Sequence, residues 1–236
     1  METYAQFLDR INSFEKSEVY YGDEYFHANP SVAQKVDWDN HFQPFYGDTV
    51  VFNLNESTKT VLAEYVEQIY QTASECFCDR LISSTFHMTL HDLSNSPNLY
   101  EVASEVFENE LKVVEKLSQT KKYKTIKMKS KYIFNMVGTS LVMGLYPVDE
   151  GQYQKLMELY ELFNDIKPLS YPLTPHITLG YYNVHGFHPK SARKLEHVVR
   201  ELNYREAIEI ELEIENLYYQ KFKSMNDYRN IINMGK

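Results

Sequence analysis

The chain carries one short signature twice, His87-Met88-Thr89-Leu90 and His176-Ile177-Thr178-Leu179, and each copy closes a unit of matching length. Thr49 opens TVVFNLN, a β-branched and aromatic run that reads as a strand. Val61, Leu62, Tyr65, Val66, Ile69, Tyr70 and Ala73 then form a helical stripe, and SSTFHMTLHDL follows as a strand holding the first histidine. The second unit repeats the plan. Thr139 opens TSLVMGLYPV, Tyr153, Leu156, Met157, Tyr160 and Phe163 mark a helix, and TPHITLGYYN is the next strand. Thr49 lies 38 residues before His87, and Thr139 lies 37 before His176. No linker or low-complexity tract separates the units. This predicts one α/β (α+β) framework with a pseudo-two-fold axis: two lobes, antiparallel sheets flanked by helices, and a central cleft.

The remaining elements fit around this repeat. Leu99, Ala103, Val106, Phe107, Val113, Val114 and Leu117 mark a helix between the units. TIKMKSKYIFNM pairs with TSLVMGLYPV through a turn near Gly138. Ala192, Leu195, Val198, Val199 and Leu202 mark a last helix, and AIEIELEIENLYYQKF reads as one long closing strand. Ser57 or Thr58 is positioned to cap the first unit's helix. Residues 1–47 read as an N-terminal extension: a helix near Tyr4 to Glu15, then an irregular stretch from Tyr20, punctuated by Pro30, Pro44 and Gly47. Trp38, Phe42 and Phe45 are too apolar for a free tail, so the extension is expected to pack on the body formed by 48–236.

On a strand, residues i and i+2 share a face. His87 and Thr89 therefore project together, with Met88 and Leu90 behind them. His176 and Thr178 do the same, backed by Ile177 and Leu179. Duplication brings two imidazoles and two hydroxyls to one cleft. Hydrolysis or transfer at a phosphodiester needs an attacker that loses a proton, a leaving oxygen that gains one, and donors for the non-bridging oxygens. Imidazole titrates near pH ~6.5, so one histidine suits the base and the other the acid. The threonine hydroxyls suit the phosphate oxygens. No metal or cofactor is required.

Composition narrows the substrate. With 24 Lys and Arg against 33 Asp and Glu, the net charge is −9, which disfavours duplex DNA. A small nucleotide or short oligonucleotide in a locally basic cleft remains compatible. The chain has 20 tyrosines, whose faces can stack bases. Cys76 and Cys78 are too close together to staple the fold and make no zinc site. No apolar run is long enough to span a bilayer, and the N-terminus reads as a polar amphipathic segment rather than a signal peptide. A cytoplasmic monomer is the expectation.

At these two motifs the sequence resembles the 2H phosphoesterase superfamily, whose hallmark is a pair of H-x-[ST]-x tetrapeptides on strands of a two-lobed α/β fold. The resemblance spans residues 44–222. It covers 2′-5′ RNA ligase-like proteins, 2′,3′-cyclic nucleotide phosphodiesterases and 2′-5′ oligoadenylate phosphodiesterases. It implies that His87 and His176 are the acid–base pair, that Thr89 and Thr178 hold phosphate, and that ligation is possible as well as hydrolysis. KVDWDNHFQPFYGDTVVFNL, together with FHMTL, is also similar to a little-characterised bacterial subfamily.

Further residues are weaker candidates. Lys127, Lys129 and Lys131 alternate along one strand. They form either a cationic stripe that draws phosphate into the cleft or a guard on a sheet edge. His91 and Tyr182 share the motif face by parity, and either lines the cleft or faces solvent. Asn53 and Asn135 are polar within apolar strands. Two rival readings exist: a nucleotide-binding module without turnover, and a metal-dependent phosphohydrolase built on His87, His91 and Asp92. Against the second, Met88 stands where a helical zinc protease carries Glu, and the segment patterns as a strand.

Overall fold

A computed structural model describes residues 2–17 and 23–236. Eight strands form one antiparallel sheet: β1 (Tyr46–Asn53), β2 (His87–Ser96), β3 (Thr125–Met136), β4 (Ser140–Pro147), β5 (His176–Tyr181), β6 (Glu209–Glu213), β7 (Leu217–Ser224) and β8 (Asp227–Asn233). Their order across the sheet is β6-β3-β4-β5-β2-β1-β7-β8. The pseudo-two-fold axis runs between β5 and β2. Outward from it, β2-β1-β7-β8 mirrors β5-β4-β3-β6. Helices α2 (Glu56–Ala73) and α4 (Glu150–Asn164) connect β1 to β2 and β4 to β5, while α3 (Leu99–Thr120) and α5 (Pro189–Asn203) follow the two motif strands. The lobes of the predicted fold are thus two halves of one sheet.

The halves meet through a single register pair, Met88 with Ile177. Met88, Leu90, Ile177 and Leu179 are buried and join the stripes of α2, α4 and α5 in one core. Burial of side chains this size stabilises by roughly 1.5–3 kcal/mol each, so the alternation that hides them fixes which way the histidines face.

AIEIELEIENLYYQKF is not one strand. Ile214–Asn216 forms a 3-10 turn that divides it into β6 and β7, which lie six strand spacings apart in sheet order. Six spacings of about 4.8 Å come to roughly 29 Å, and the four steps from Glu213 to Leu217 reach only about 14 Å. The sheet therefore curls, bringing β6 against β1. β8 follows the turn after β7 as an additional edge strand. The cap of α2 is Asn55, whose Oδ1 accepts Thr58 N–H at 2.8 Å, in place of Ser57 or Thr58.

The N-terminal segment lies against this sheet. Helix α1 (Tyr4–Ser17) packs on β3 and β4, buries Phe7 and Ile11, and stacks Phe14 on Phe134 at 4.3 Å between centroids. The irregular stretch expected from Tyr20 begins outside the described residues. Farther on, Phe26 and Phe187 exchange backbone hydrogen bonds of 2.9 and 3.0 Å. Gly186 permits that approach: its φ is +79°, and a Cβ there would overlap the Phe26 carbonyl. Tyr46 and Gly47 already belong to β1, so the sheet starts before residue 48.

Candidate active site

A cavity of about 690 Å³ opens where β2 meets β5, and His87, Thr89, His176 and Thr178 all line it. The register through Met88 and Ile177 sets His87 across from Thr178 and Thr89 across from His176. The histidines are diagonal neighbours, for which Cβ separations of about 7–8 Å are usual.

Both imidazoles are held identically. His87 Nδ1 is 2.6 Å from the Thr85 carbonyl, and His176 Nδ1 is 2.7 Å from the Thr174 carbonyl. A carbonyl only accepts, so Nδ1 carries the proton in each ring and donates it. Nε2 is left as the nitrogen available to the cavity. Burial pushes His87 down to about 4; the Thr85 bond opposes this, and the nearby His176 adds to it. His176 is also held below the ordinary imidazole value by burial, with its Thr174 bond and Asp92 opposing and Lys35 adding to the depression. Neither the Thr89 nor the Thr178 hydroxyl is engaged by another protein group among the described residues.

The orienting carbonyls extend the repeat. Thr85-Phe86-His87-Met88-Thr89-Leu90 and Thr174-Pro175-His176-Ile177-Thr178-Leu179 share the pattern T-x-H-x-T-L. Comparing the flanks of the two tetrapeptides would have found it.

The parity argument fails immediately after each motif, for one reason. The β1–β2 register shifts between Val50 and Val51, and the β4–β5 register shifts between Leu141 and Val142. Each shift is a bulge that reverses the facing of the residues beyond it. His91 is accordingly turned inward and 1% exposed, its Nδ1 bonded to the Asp92 carbonyl at 2.7 Å and its ring against Tyr160. Tyr182 is fully buried among Phe26, Phe77 and Phe187. Neither lines the cleft; Asp92 and Tyr181 do. The same reversal separates His91 from His87, so the donor pair of the metal reading does not converge.

The lysine stripe is also elsewhere. Lys127 and Lys129 face Glu211 and Glu209 on β6, at 3.9 and 3.5 Å, and Lys131 sits over the Tyr132 and Tyr146 rings. β3 is interior rather than an edge, and none of the three lysines lines the cavity. Asn135 accepts Gly138 N–H at 2.8 Å and shapes the β3–β4 turn. Cys76 and Cys78 are buried, and burial pushes both thiols up to about 12.

The cavity's cations come from the N-terminal segment, where no motif marked them. Lys35 reaches in with Nζ 5.2 Å from the Phe45 ring centroid and 5.1 Å from that of Tyr181. Among the described residues no carboxylate is within ion-pair range of it. Arg10 pairs with Glu2 through two bonds of 2.9 and 2.8 Å and donates to Thr174 Oγ1 and the Leu173 carbonyl, both at 2.9 Å. It braces the loop whose Thr174 carbonyl orients His176. Tyr171, Tyr181, Tyr228, Phe45 and Phe222 supply aromatic walls. The Tyr228 ring lies 5.0 Å from His87. Among the described residues no group of three or more His, Cys, Asp or Glu side chains is arranged to hold a metal ion, and no helix is long and apolar enough to cross a membrane.

No family model matches the chain, and no curated protein sequence does. Solved structures do. A conserved protein of unknown function from Agrobacterium tumefaciens, ATU0111, aligns with a TM-score of 0.65 at 16% identity, over 88% of this chain and 94% of that one. TT0787 of Thermus thermophilus gives 0.49 at 12% identity, over 78% and 94%. E. coli LigT complexed with 3′-AMP gives 0.44 at 14% identity, over 80% and 97%. The chain thus shares its fold with ATU0111 over 88% of its own length and 94% of that protein's.

Proposed function

We propose that the protein is a metal-independent phosphodiesterase of the 2H type that cleaves a small nucleotide or oligonucleotide phosphodiester, 2′,3′-cyclic or 2′-5′-linked, between His87 and His176. One observation carries the reading: two imidazoles on pseudo-symmetric strands, each with Nδ1 tied to the carbonyl two residues upstream, offer Nε2 to a common cavity. Tying Nδ1 leaves the Nε2 lone pair ready to take a proton and also favours the imidazolium once it forms.

His87, pushed down to about 4 by burial, is assigned as the base, and His176, also lowered by burial, as the acid; Asp92 opposes the depression of both rings. His87 Nε2 takes the proton of the attacking oxygen while His176 Nε2–H gives its proton to the departing one. If water attacks a 2′,3′-cyclic phosphate, the ester bond opens to a monophosphate. If a ribose 2′- or 3′-hydroxyl next to the linkage attacks, a cyclic phosphate forms, and the reverse of such a step is ligation. Thr89 and Thr178 donate to the non-bridging oxygens, and Lys35 balances their charge. Lys35 is the one cation lining the cavity that is free of a carboxylate among the described residues, which suits a singly charged diester better than a polyphosphate.

The test is turnover of chelator-treated protein on 2′,3′-cyclic nucleotides, 2′-5′-linked oligoadenylate and cyclic oligonucleotides. Turnover surviving the chelator supports the reading. Loss of turnover on chelation, or tight binding with no turnover, refutes it.

A further inference from the structure

Beyond Tyr228 and Thr85, which also line the main cavity, lies a second recess of about 290 Å³ walled by Asn53, Gln220, Asn226, Asn230, Ser84 and Asp227. Four of these side chains are amides. Three of them, from adjacent strands, bond to one another: Gln220 Nε2 donates to Asn230 Oδ1 at 2.6 Å and to Asn53 Oδ1 at 3.1 Å, and Asn53 Nδ2 donates to Asn230 Oδ1 at 3.3 Å. This satisfies the donors of Gln220 and leaves its acceptor over. Gln220 is only 5% exposed, and its Oε1 has no donor among the described residues. That oxygen is buried away from the recess as well, so Gln220 acts by holding the Asn53 and Asn230 amides in place. The cluster is uncharged, so a phosphate gains little here.

We infer that this amide recess is a base-reading subsite, in which Asn53 and Asn230, positioned by Gln220, hydrogen-bond the edge of a nucleobase whose phosphate lies between the histidines. Amide side chains match base edges because both present a donor beside an acceptor in one plane. Tyr228 forms the wall between the two chambers, its ring edge-on to His87, and provides a face along which the nucleoside passes. The subsite discriminates among bases, which the catalytic groups themselves have no means to do. The inference rests on the phosphodiesterase reading for its substrate but not for its ligand class.

The experiment compares kcat/KM for the four 2′,3′-cyclic nucleotides with that for bis(4-nitrophenyl) phosphate, which has no base edge. Calorimetric binding of the four nucleoside 3′-monophosphates serves as a readout independent of turnover. Wild type is expected to prefer one base by about tenfold or more. In Gln220→Met, kcat/KM for that nucleotide should fall at least about tenfold relative to bis(4-nitrophenyl) phosphate, and the four affinities should converge. Asn230→Ala, at the exposed rim, should do the same to a smaller degree and guards against misfolding of the buried variant. Base-selective binding lost in Gln220→Met, without turnover of any diester, upholds the subsite and refutes the phosphodiesterase. Equal handling of all bases by wild type, or a preference retained in both variants, overturns the subsite.

Discussion

Asp48 lies on β1, the strand paired with β2, and is buried with its carboxyl bonded to three donors. Ser94 N–H reaches Oδ1 at 2.8 Å, while Tyr219 Oη–H and Asn109 Nδ2 reach Oδ2 at 3.0 and 3.1 Å. Burial wins over these bonds and pushes the group up from 3.8 to about 6. A raised carboxyl binds its proton more tightly in the native state than in the unfolded chain. Its stabilising contribution is therefore complete below pH ~4 and is lost as pH rises through about 6. A shift of roughly two units at ~1.4 kcal/mol per unit comes to about 3 kcal/mol. Asp48→Asn keeps the size and an acceptor for Ser94 N–H but cannot ionise. The quantity to measure is the unfolding free energy of variant minus wild type, from urea titrations between pH 3.5 and 8. It should rise by about 3 kcal/mol across that range, mostly between pH 4 and 7. A flat difference, or one that falls with pH, would mean that the three donors outweigh burial, and would refute the reasoning.

Other consequences follow from the site and its rim. Lys35→Met should lower kcat/KM for a phosphodiester by roughly tenfold to a hundredfold with little change in Tm; an unchanged kcat/KM would remove Lys35 from phosphate binding. Because burial depresses both imidazoles, kcat/KM should peak on the acid side of pH 6.5. It should fall below about 4 as His87 gains its proton and fall toward neutrality as His176 loses its own; a maximum at pH 7.5 or above contradicts this. Val137, in the β3–β4 turn, holds a φ of +44° while 73% exposed. Val137→Gly should therefore raise stability by about 0.5–1 kcal/mol and Tm by about 1–3 °C, and a lower Tm would show that the left-handed backbone carries no strain.

Much of this arrangement was legible in the chain. Matching spacings of 38 residues from Thr49 to His87 and 37 from Thr139 to His176 marked the two half-sheets, and the buried–exposed alternation of each motif placed His87 with Thr89 and His176 with Thr178. Period-2 reasoning then broke at the bulges after Thr89 and Thr178. A bulge is set by pairing with a neighbouring strand, so nothing local in His91 or Tyr182 announced that both would turn into the core. The split of AIEIELEIENLYYQKF was hidden for a related reason. Its apolar alternation suits β6 and β7 equally, and only the curl of the sheet requires a turn at Ile214. Lys35 was missed because its role depends on the fold that carries it past Phe45 and Tyr181, whereas the lysines of β3, conspicuous by their spacing, are matched by an equally regular row of glutamates on β6. The T-x-H-x-T-L extension was present in the sequence and needed only a wider comparison.

The most direct measurement is kcat on the diester turned over best, for His87→Ala, His176→Ala and the double variant, with folding checked by Tm. If the two rings work as one acid–base pair, each single change lowers kcat by about 10²–10⁴-fold, and the double change adds far less than the product of the two. Either single variant turning over at a rate close to wild type, while folded, would contradict the account.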